Sequence, residues 1–377
     1  MPERPLRLLY DHQMFALQRY GGISRIFIEL ARRLSARDDC SVYWHRGYHV
    51  DGYDVSDFQP RLARYWSIDR PLPNFKQWPR ERINRHAFRW FSRTILGGVD
   101  IYHPSYFDHE LLPIPRARRV AVTVYDMILE RFMANQPRVQ RQIVGKRRMV
   151  EQADLVFVIS EHTRRDVVEL LGVEPDRTVL AYPASDIASL PAAPLPPHIT
   201  DQPFLLYVGP RTKYKNFGVL VEAFTRSEWL RRSLRVVCLG GGPFQEPELA
   251  AMREFGLVDR FHQLDGDDRM LKALYARAVA LAWTSRYEGF GIPPLEAMQV
   301  GCPVVCAPTS SMPEVVGDAA LFFDPDQPDD LAEQLSRATG DTALRASMIE
   351  RGRVRAELFS WDQMVDATLG GYRRLVH

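Results

Sequence analysis

Two glutamates, Glu288 and Glu296, bracket the run Gly289-Phe290-Gly291-Ile292-Pro293-Pro294-Leu295. Residues 279–283 ahead of them are an apolar run that reads as a strand, and Pro294 suits the first position of a helix. The glycines and prolines between the two acids keep them off one helix face. One lies on a loop and the other in the first helical turn. Such a pair holds two hydroxyl-bearing parts of one ligand while backbone N–H groups point at an anion between them. The plain alternative is a solvated loop acid plus an acid that complements a helix dipole.

A second cluster is cationic. A strand expected at 204–209 runs into Pro210-Arg211-Thr212-Lys213-Tyr214-Lys215-Asn216, and a helix follows with Phe217, Leu220, Val221 and Phe224 on one face. Arg211, Lys213 and Lys215 therefore sit beside a helix N-terminus, where the dipole is already positive. A bound anion resolves that conflict; a solvated basic loop is the alternative. Only five of the basic residues in the chain are lysine, and two of them are in this loop.

The elements that would carry these groups alternate strand and helix. Strands are expected at 6–10, 41–45, 99–103, 120–125 and 155–160, and again at 204–209, 234–239, 261–264, 279–283, 304–306 and 320–323. This alternation implies α/β architecture with parallel sheets, in which ligands bind beyond the C-terminal strand ends. After the first strand, Gly21 and Gly22 open a helix with Ile23, Ile26, Phe27, Leu30 and Leu34 at helical spacing. That is a phosphate-approach geometry or simply a tight turn; the dinucleotide fingerprint is absent. Further strand ends present His103, Tyr125-Asp126 and Ser160-Glu161-His162. His103 reads as a satisfied strand-end histidine or as a ligand. Gly240-Gly241-Gly242 is another close-approach loop. Asp265 and Asp267 form an Asp-x-Asp pattern that could hold a metal, but a helix follows directly, which favours loop and N-cap roles.

The 377 residues suffice for two cores. We expect a first domain at 1–185, a proline-rich linker at 186–203, a second domain at 204–359, and a last helix at 360–377 packing back on the first domain. No apolar run is long enough to span a membrane, and Met1-Pro2-Glu3-Arg4-Pro5 begins no apolar signal core, so a cytoplasmic protein is expected. The four cysteines lack metal-ligand spacing and read as reduced structural thiols. Residues 1–190 hold 29 Lys and Arg against 23 Asp and Glu, so the excess of base lies in the first half. Within it, residues 70–98 interleave Arg80, Arg82, Arg85, Arg89 and Arg93 with Phe75, Trp78, Phe88, Trp90 and Phe91. This suits an anionic lipid interface, or stacking on nucleic acid, or an amphipathic helix packed on its own domain with its arginines outside.

In combination these motifs resemble a known family. Gly21-Gly22-Ile23-Ser24-Arg25, Tyr207-Val208-Gly209-Pro210-Arg211 with Lys215-Asn216-Phe217, Tyr287-Glu288-Gly289-Phe290-Gly291 through Glu296-Ala297-Met298, and Ser310-Ser311-Met312-Pro313-Glu314 are similar to the retaining "group one" (family four) glycosyltransferases. The resemblance covers nearly the whole chain. Asp11-His12-Gln13 and Tyr214-Lys215-Asn216-Phe217 look most like bacterial mannosyltransferases of O-antigen and exopolysaccharide assembly. The resemblance implies the GT-B fold: two facing Rossmann-like domains with an interdomain cleft. It implies that Arg211 and Lys215 bind the donor diphosphate, that Glu288 meets the donor hexose, and that Glu296 accepts from the ribose. Phe290, Gly291, Ile292 and Leu295 would line the donor, with Gly209, Gly240 and Gly241. Gly21 and Gly22 would close over the phosphates, and Leu264 and Asp265 would read the base. Where many members carry a strand-end histidine this chain has Tyr125, followed by Asp126. Tyr125 and His103 thus become acceptor-side candidates and Asp126 a catalytic one. No metal or other cofactor is implied. The implied partners are a nucleotide sugar, GDP-mannose first, and a lipid-linked glycan at the cytoplasmic membrane face, with no nucleic acid. A UDP- or dTDP-sugar donor, a low-turnover nucleotide-sugar-binding protein, and a glycoside phosphorylase or hydrolase remain alternatives.

Overall fold

The computed structural model describes residues 4–18, 21–50, 52–53, 55, 69–71, 77–95, 98–112 and 116–376. The chain forms two units: Met1–Pro183 with Trp361–His377, and Ala184–Ser360. The first contains β1 (Leu6–Tyr10), β2 (Cys40–Trp44), β3 (Gly47–His49), β4 (Asp69–Pro71), β5 (Val99–His103), β6 (Ala117–Val124), β7 (Leu155–Val158) and β8 (Thr178–Leu180). Six of these make one parallel sheet in the order β2-β1-β5-β6-β7-β8, while β3 and β4 pair separately. Every residue of β2, β5 and β7 is buried, as expected of strands covered on both faces. The helix Gly22–Ser35 returns the chain from β1 to β2 and buries Ile26, Phe27, Leu30 and Leu34. Each such side chain contributes roughly 1.5–3 kcal/mol.

The second unit contains β9 (Phe204–Val208), β10 (Arg235–Leu239), β11 (Phe261–Leu264), β12 (Ala280–Trp283), β13 (Val304–Cys306) and β14 (Ala320–Phe322). They form a parallel sheet in the order β11-β10-β9-β12-β13-β14. Both sheets reverse their winding once: between β1 and β5 in the first, between β9 and β12 in the second. Loops leaving the C-terminal ends of strands at such a reversal splay apart and leave a crevice for a ligand.

Two expectations change in the structure. The proline-rich residues 186–203 belong to the second unit and do not form a free linker. Ile187 and Ile199 are fully buried, Ala193 N–H donates to Arg269 C=O at 3.1 Å, and Lys272 Nζ donates to Ala188 C=O at 2.6 Å. Single apolar anchors of this kind leave no periodicity to read. The helix after the Gly-Phe-Gly loop begins at Ile292, ahead of Pro294. Within residues 70–98, read as a lipid interface, a nucleic-acid surface or an amphipathic helix packed on its own domain, the helix Gln77–Thr94 packs one face on its own unit. Phe88 and Phe91 are in the core, Arg80 donates to Ala16 C=O at 2.6 Å, and Arg85 pairs with Asp108 and Glu110. Ile83, Trp90, Arg82, Arg89 and Arg93 remain on its exposed face. Phe75 lies outside the described residues. Among the described residues no helix is long and apolar enough to cross a membrane.

The last helix, Trp361–Val376, docks on the first sheet. Gly371 sits so close that a Cβ there would lie 2.7 Å from the Phe157 ring. Next to it Tyr372 places its hydroxyl 2.6 Å from His103 Nδ1 and 3.2 Å from Tyr10 Oη.

Candidate functional site

The winding reversal of the second sheet brings the two sequence clusters together. Lys215 closes the short turn after β9, and Glu288 lies on the loop after β12. Lys215 Nζ donates to Glu288 Oε1 at 2.6 Å. The pair is largely buried, with side-chain exposures of 10% and 11%. The ammonium also lies 4.6 Å from the centre of the Trp283 ring. An ammonium has three N–H donors, so this one keeps capacity for an anion beyond Glu288.

The loops around the pair are held in unusual backbone. Asn216 and Ser310 have φ of 53° and 52°, a region that side chains other than glycine seldom adopt. Both positions are tied down: Asn216 Nδ2 donates to Pro325 C=O at 2.8 Å, and Ser310 Oγ accepts from Glu288 N–H at 2.8 Å. Ser311 Oγ donates to the carbonyls of Glu288 and Phe290 at 3.1 and 2.8 Å. Strain that is over-determined in this way clusters at functional sites. Gly291, with φ of 102°, caps the helix Ile292–Val300, and a Cβ there would come 2.2 Å from Met312 Cε. In its first turn only Ile292 can offer an N–H, because Pro293 and Pro294 have none and Leu295 N–H donates to Gly291 C=O at 3.4 Å. That N–H shares the helix N-terminus with the loop that carries Glu288.

Glu296, one turn into that helix, is 4% exposed. It accepts from Ser185 Oγ at 3.0 Å and from Tyr275 Oη at 3.3 Å. Burial, then the Glu296 charge, pushes the Tyr275 hydroxyl well above its usual pKa, so it stays a donor. Phe290 and Leu295 are buried, and Phe290 packs edge-on to Phe359. Their side chains serve the core, and Leu295 N–H donates to Gly291 C=O at 3.4 Å.

Arg211 is arranged differently from Lys215. Its Nε donates to Glu248 at 2.9 Å. One terminal nitrogen reaches Gln263 Oε1 at 2.8 Å and Gly240 C=O at 3.4 Å. The other reaches the carbonyls of Gly242 and Pro243 at 2.8 and 3.0 Å. The side chain is 3% exposed, and the guanidinium lies 4.7 Å from the Phe244 ring centre. All five N–H donors have acceptors within the protein in this arrangement. Gly209, Gly240 and Gly241 have φ of 103°, 80° and 80°. A Cβ on Gly241 would lie 2.8 Å from Gly209 C=O, so both conformation and space require glycine there. Leu264 is half-buried and Asp265 exposed at the same strand end. Asp267 caps the helix Asp268–Arg277, accepting from Met270 N–H at 3.0 Å.

In the first unit the reversal point is organised by Asp11, just beyond β1. This buried carboxylate accepts from Gln13 N–H and Nε2, from Ser105 N–H and Oγ, and from Tyr102 Oη, at 2.5–3.2 Å. Burial still holds its pKa above the ordinary carboxylate value. It ties the loop after β1 to the loop after β5. Beside them is a cavity of about 230 Å³ lined by His12, Gln13, Tyr106 and Asp108 among others. Tyr125 is buried and donates to Ser105 C=O at 3.3 Å. Asp126 is half-buried and accepts from Ile128 N–H at 2.9 Å. Gly21 precedes the helix Gly22–Ser35 and is bracketed by Tyr53 Oη.

His103 is a correction. It is 1% exposed, and its two nitrogens meet Tyr372 Oη at 2.6 Å and Thr123 Oγ1 at 2.9 Å. Burial lowers its pKa to about 3. It anchors the last helix and does not face an acceptor. Sequence reasoning passed over Asp11, Ser105, Ser185 and Gln263. Asp11 had a signal, an acid directly beyond a central strand. Ser185 had none, because its partner Glu296 is 111 residues away.

Residues 196–355 match the family model described as "Glycosyl transferases group 1", and residues 20–189 match "Glycosyltransferase Family 4". O-antigen chain mannosyltransferase B of Escherichia coli is 30% identical over 376 residues, 94% of this chain and 96% of that protein. A D-inositol 3-phosphate glycosyltransferase of Salinispora arenicola is 26% identical over 94% of this chain and 88% of its own. Among solved structures, sucrose-phosphate synthase from Thermosynechococcus elongatus superimposes with a TM-score of 0.75 at 20% identity, covering 99% of both chains. Anabaena HepE, solved in complex with UDP and glucose, gives a TM-score of 0.70 at 18% identity, over 96% of this chain and 98% of that one. The fold is GT-B.

Proposed function

The chain belongs to the group 1 and family 4 glycosyltransferases, and we propose that it moves a hexose, mannose from GDP-mannose, onto a lipid-linked glycan in cell-surface glycan biosynthesis. Similarity to O-antigen chain mannosyltransferase B along nearly the whole chain supports the choice of mannose and of that pathway class. The observation that carries a nucleotide-sugar donor is the Lys215–Glu288 pair at the winding reversal of the second sheet. In this reading the Lys215 ammonium meets the donor diphosphate, where negative charge grows as the glycosidic bond breaks. An interaction that strengthens as the leaving group departs lowers the barrier. At the N-terminus of the helix Ile292–Val300 the Ile292 N–H and the dipole add to the same anion. Glu288 accepts from hexose hydroxyls, and Glu296 takes a ribose hydroxyl beside Ser185 and Tyr275.

Transfer proceeds with retention, by front-face attack assisted by the leaving phosphate, and needs neither a protein nucleophile nor a metal. The protein works at the cytoplasmic face of the membrane, with the exposed face of the helix Gln77–Thr94 toward lipid head groups. Mixing labelled GDP-mannose with a lipid-linked oligosaccharide acceptor should give a labelled glycolipid. UDP-sugars are run in parallel, because HepE was solved with UDP. Donor binding without transfer from any nucleotide sugar would instead support a nucleotide-sugar-binding protein.

A further inference from the structure

We propose that the cavity beside Asp11 in the first unit binds one uncharged sugar residue of the acceptor, and that His12 helps to select it. This rests on the glycan acceptor proposed above. The cavity holds about 230 Å³, below the roughly 300–1,000 Å³ of pockets that take drug-sized ligands, so it suits one ring and not a length of chain. Its walls carry the carboxylates of Glu81 and Asp108 and the guanidinium groups of Arg85, Arg138 and Arg141. A carboxylate only accepts hydrogen bonds and a guanidinium only donates them. A hydroxyl does both, so a ring bearing several of them can serve both kinds of group at once. A phosphate would suit the arginines alone and would meet like charge at Glu81 and Asp108. Leu17, at the same cavity, is 37% exposed and offers apolar surface to the C–H face of a sugar ring.

His12, which also lines the cavity, is 3% exposed. Its ring packs edge-on against His45 and Phe88, with ring centres 5.9 and 5.8 Å away. Its Nδ1 is buried without a hydrogen-bond partner, a state that buried polar atoms seldom keep. Burial, then the charge of Arg85, lowers its pKa to about 3, so the ring is neutral. A neutral imidazole has one donor and one acceptor nitrogen, and a sugar hydroxyl can satisfy either. The groups around it are already fixed. Gln13 Nε2 donates to Asp11 at 2.6 Å, and Gln13 Oε1 accepts from Asp108 N–H at 2.7 Å. Arg85 Nε donates to the Asp108 carboxylate at 3.0 Å. The helix Pro137–Gln152 brings Arg138, Arg141 and Gln142 to the cavity. It can come this near because of Gly145, where a Cβ would lie 2.4 Å from Phe107 C=O. A site held in this way loses little binding energy to ordering its own groups.

Sugar titrations followed by ligand-observed NMR test this without a donor. Methyl α-mannoside, methyl α-galactoside and methyl N-acetyl-α-glucosaminide are titrated into wild type, His12→Phe and Gln142→Trp, with inorganic phosphate as competitor. At least one hexoside should bind wild type, and phosphate should not displace it. His12→Phe keeps a ring against His45 and Phe88 but has no nitrogen, and should weaken that hexoside about tenfold. Gln142 is exposed, so Gln142→Trp should fold as wild type does and, by filling the cavity, abolish binding. No hexoside binding by wild type would overturn the proposal, as would displacement by phosphate, which would make this an anion site. Binding that survives Gln142→Trp would put the sugar elsewhere and overturn it too. Wild-type affinity in His12→Phe would overturn the role of His12; should that variant not fold, Gln142→Trp decides. These titrations use no nucleotide sugar, so their failure is separate from a failure to form the labelled glycolipid, which would count against the transferase reading.

Discussion

Lys215 and Glu288 come from loops 73 residues apart, yet they share one short, nearly dry contact. Each is the other's main counter-charge. Removing one side should therefore leave an uncompensated buried charge. Lys215→Met is expected to lower stability by about 3 kcal/mol, and Glu288→Leu by a similar amount. The double variant should recover much of that loss, since two apolar groups replace a pair that needed each other. Urea unfolding of the four proteins gives the coupling directly; additive losses would show that the two groups do not depend on one another. Function should not recover with stability. The double variant lacks both the cation for the diphosphate and the acid for the sugar, and should stay inactive.

The last helix, Trp361–Val376, is continuous with the first unit through contacts only a folded chain can make. Tyr372 is fully buried, and its hydroxyl satisfies His103 and Tyr10. Tyr372→Phe keeps the ring and removes the hydroxyl, orphaning two buried polar groups. The expected cost is about 1–3 kcal/mol, seen as a lower urea midpoint. Donor binding should be unchanged, because Lys215, Glu288 and Glu296, on which the proposed donor site rests, lie in the other unit. A fall in nucleotide affinity in this variant would contradict that division. Short strands show the opposite limit of reading by element. β8, with three residues, and the β3–β4 pair carry no alternation long enough to detect.

At the scale of the molecule, acid sensitivity should be concentrated in the first unit. His12 and His103 are both buried there, and burial lowers each pKa to about 3, with Arg85 adding to the effect at His12. In the unfolded chain they titrate near 6.5. A folded-state pKa below the unfolded value means that the unfolded chain binds more protons between pH 6.5 and 3. The stability these neutral imidazoles hold above pH 6.5 is then lost as pH falls through that window. At pH 5.5 the loss is about 1.4 kcal/mol for each histidine. Comparing urea unfolding at pH 7.5 and 5.5, His103→Asn should show a decline smaller by about that amount. An unchanged decline would mean that His103 is charged in the folded protein.

Much of the candidate site was legible because its signals are local. Glycines that a loop must have, a helix start marked by proline, and lysines at the wrong end of a dipole each declare themselves within a few residues. The α/β class followed from alternation, since strand and helix periods differ along the chain itself. What the sequence could not decide were partnerships across the sheet. Arg211 and Lys215 are near neighbours of the same sign, and nothing local says that one meets five acceptors within the protein and the other a single carboxylate. That depends on where the carbonyls of Gly240, Gly242 and Pro243 point, which is set by backbone dihedrals in another loop. His103 likewise looks like an accessible strand end until the last helix covers it with Tyr372. Residue types and their local spacing fixed which groups could do chemistry; the tertiary fold, by satisfying or exposing each hydrogen-bonding atom, decided which of them remain free to do it.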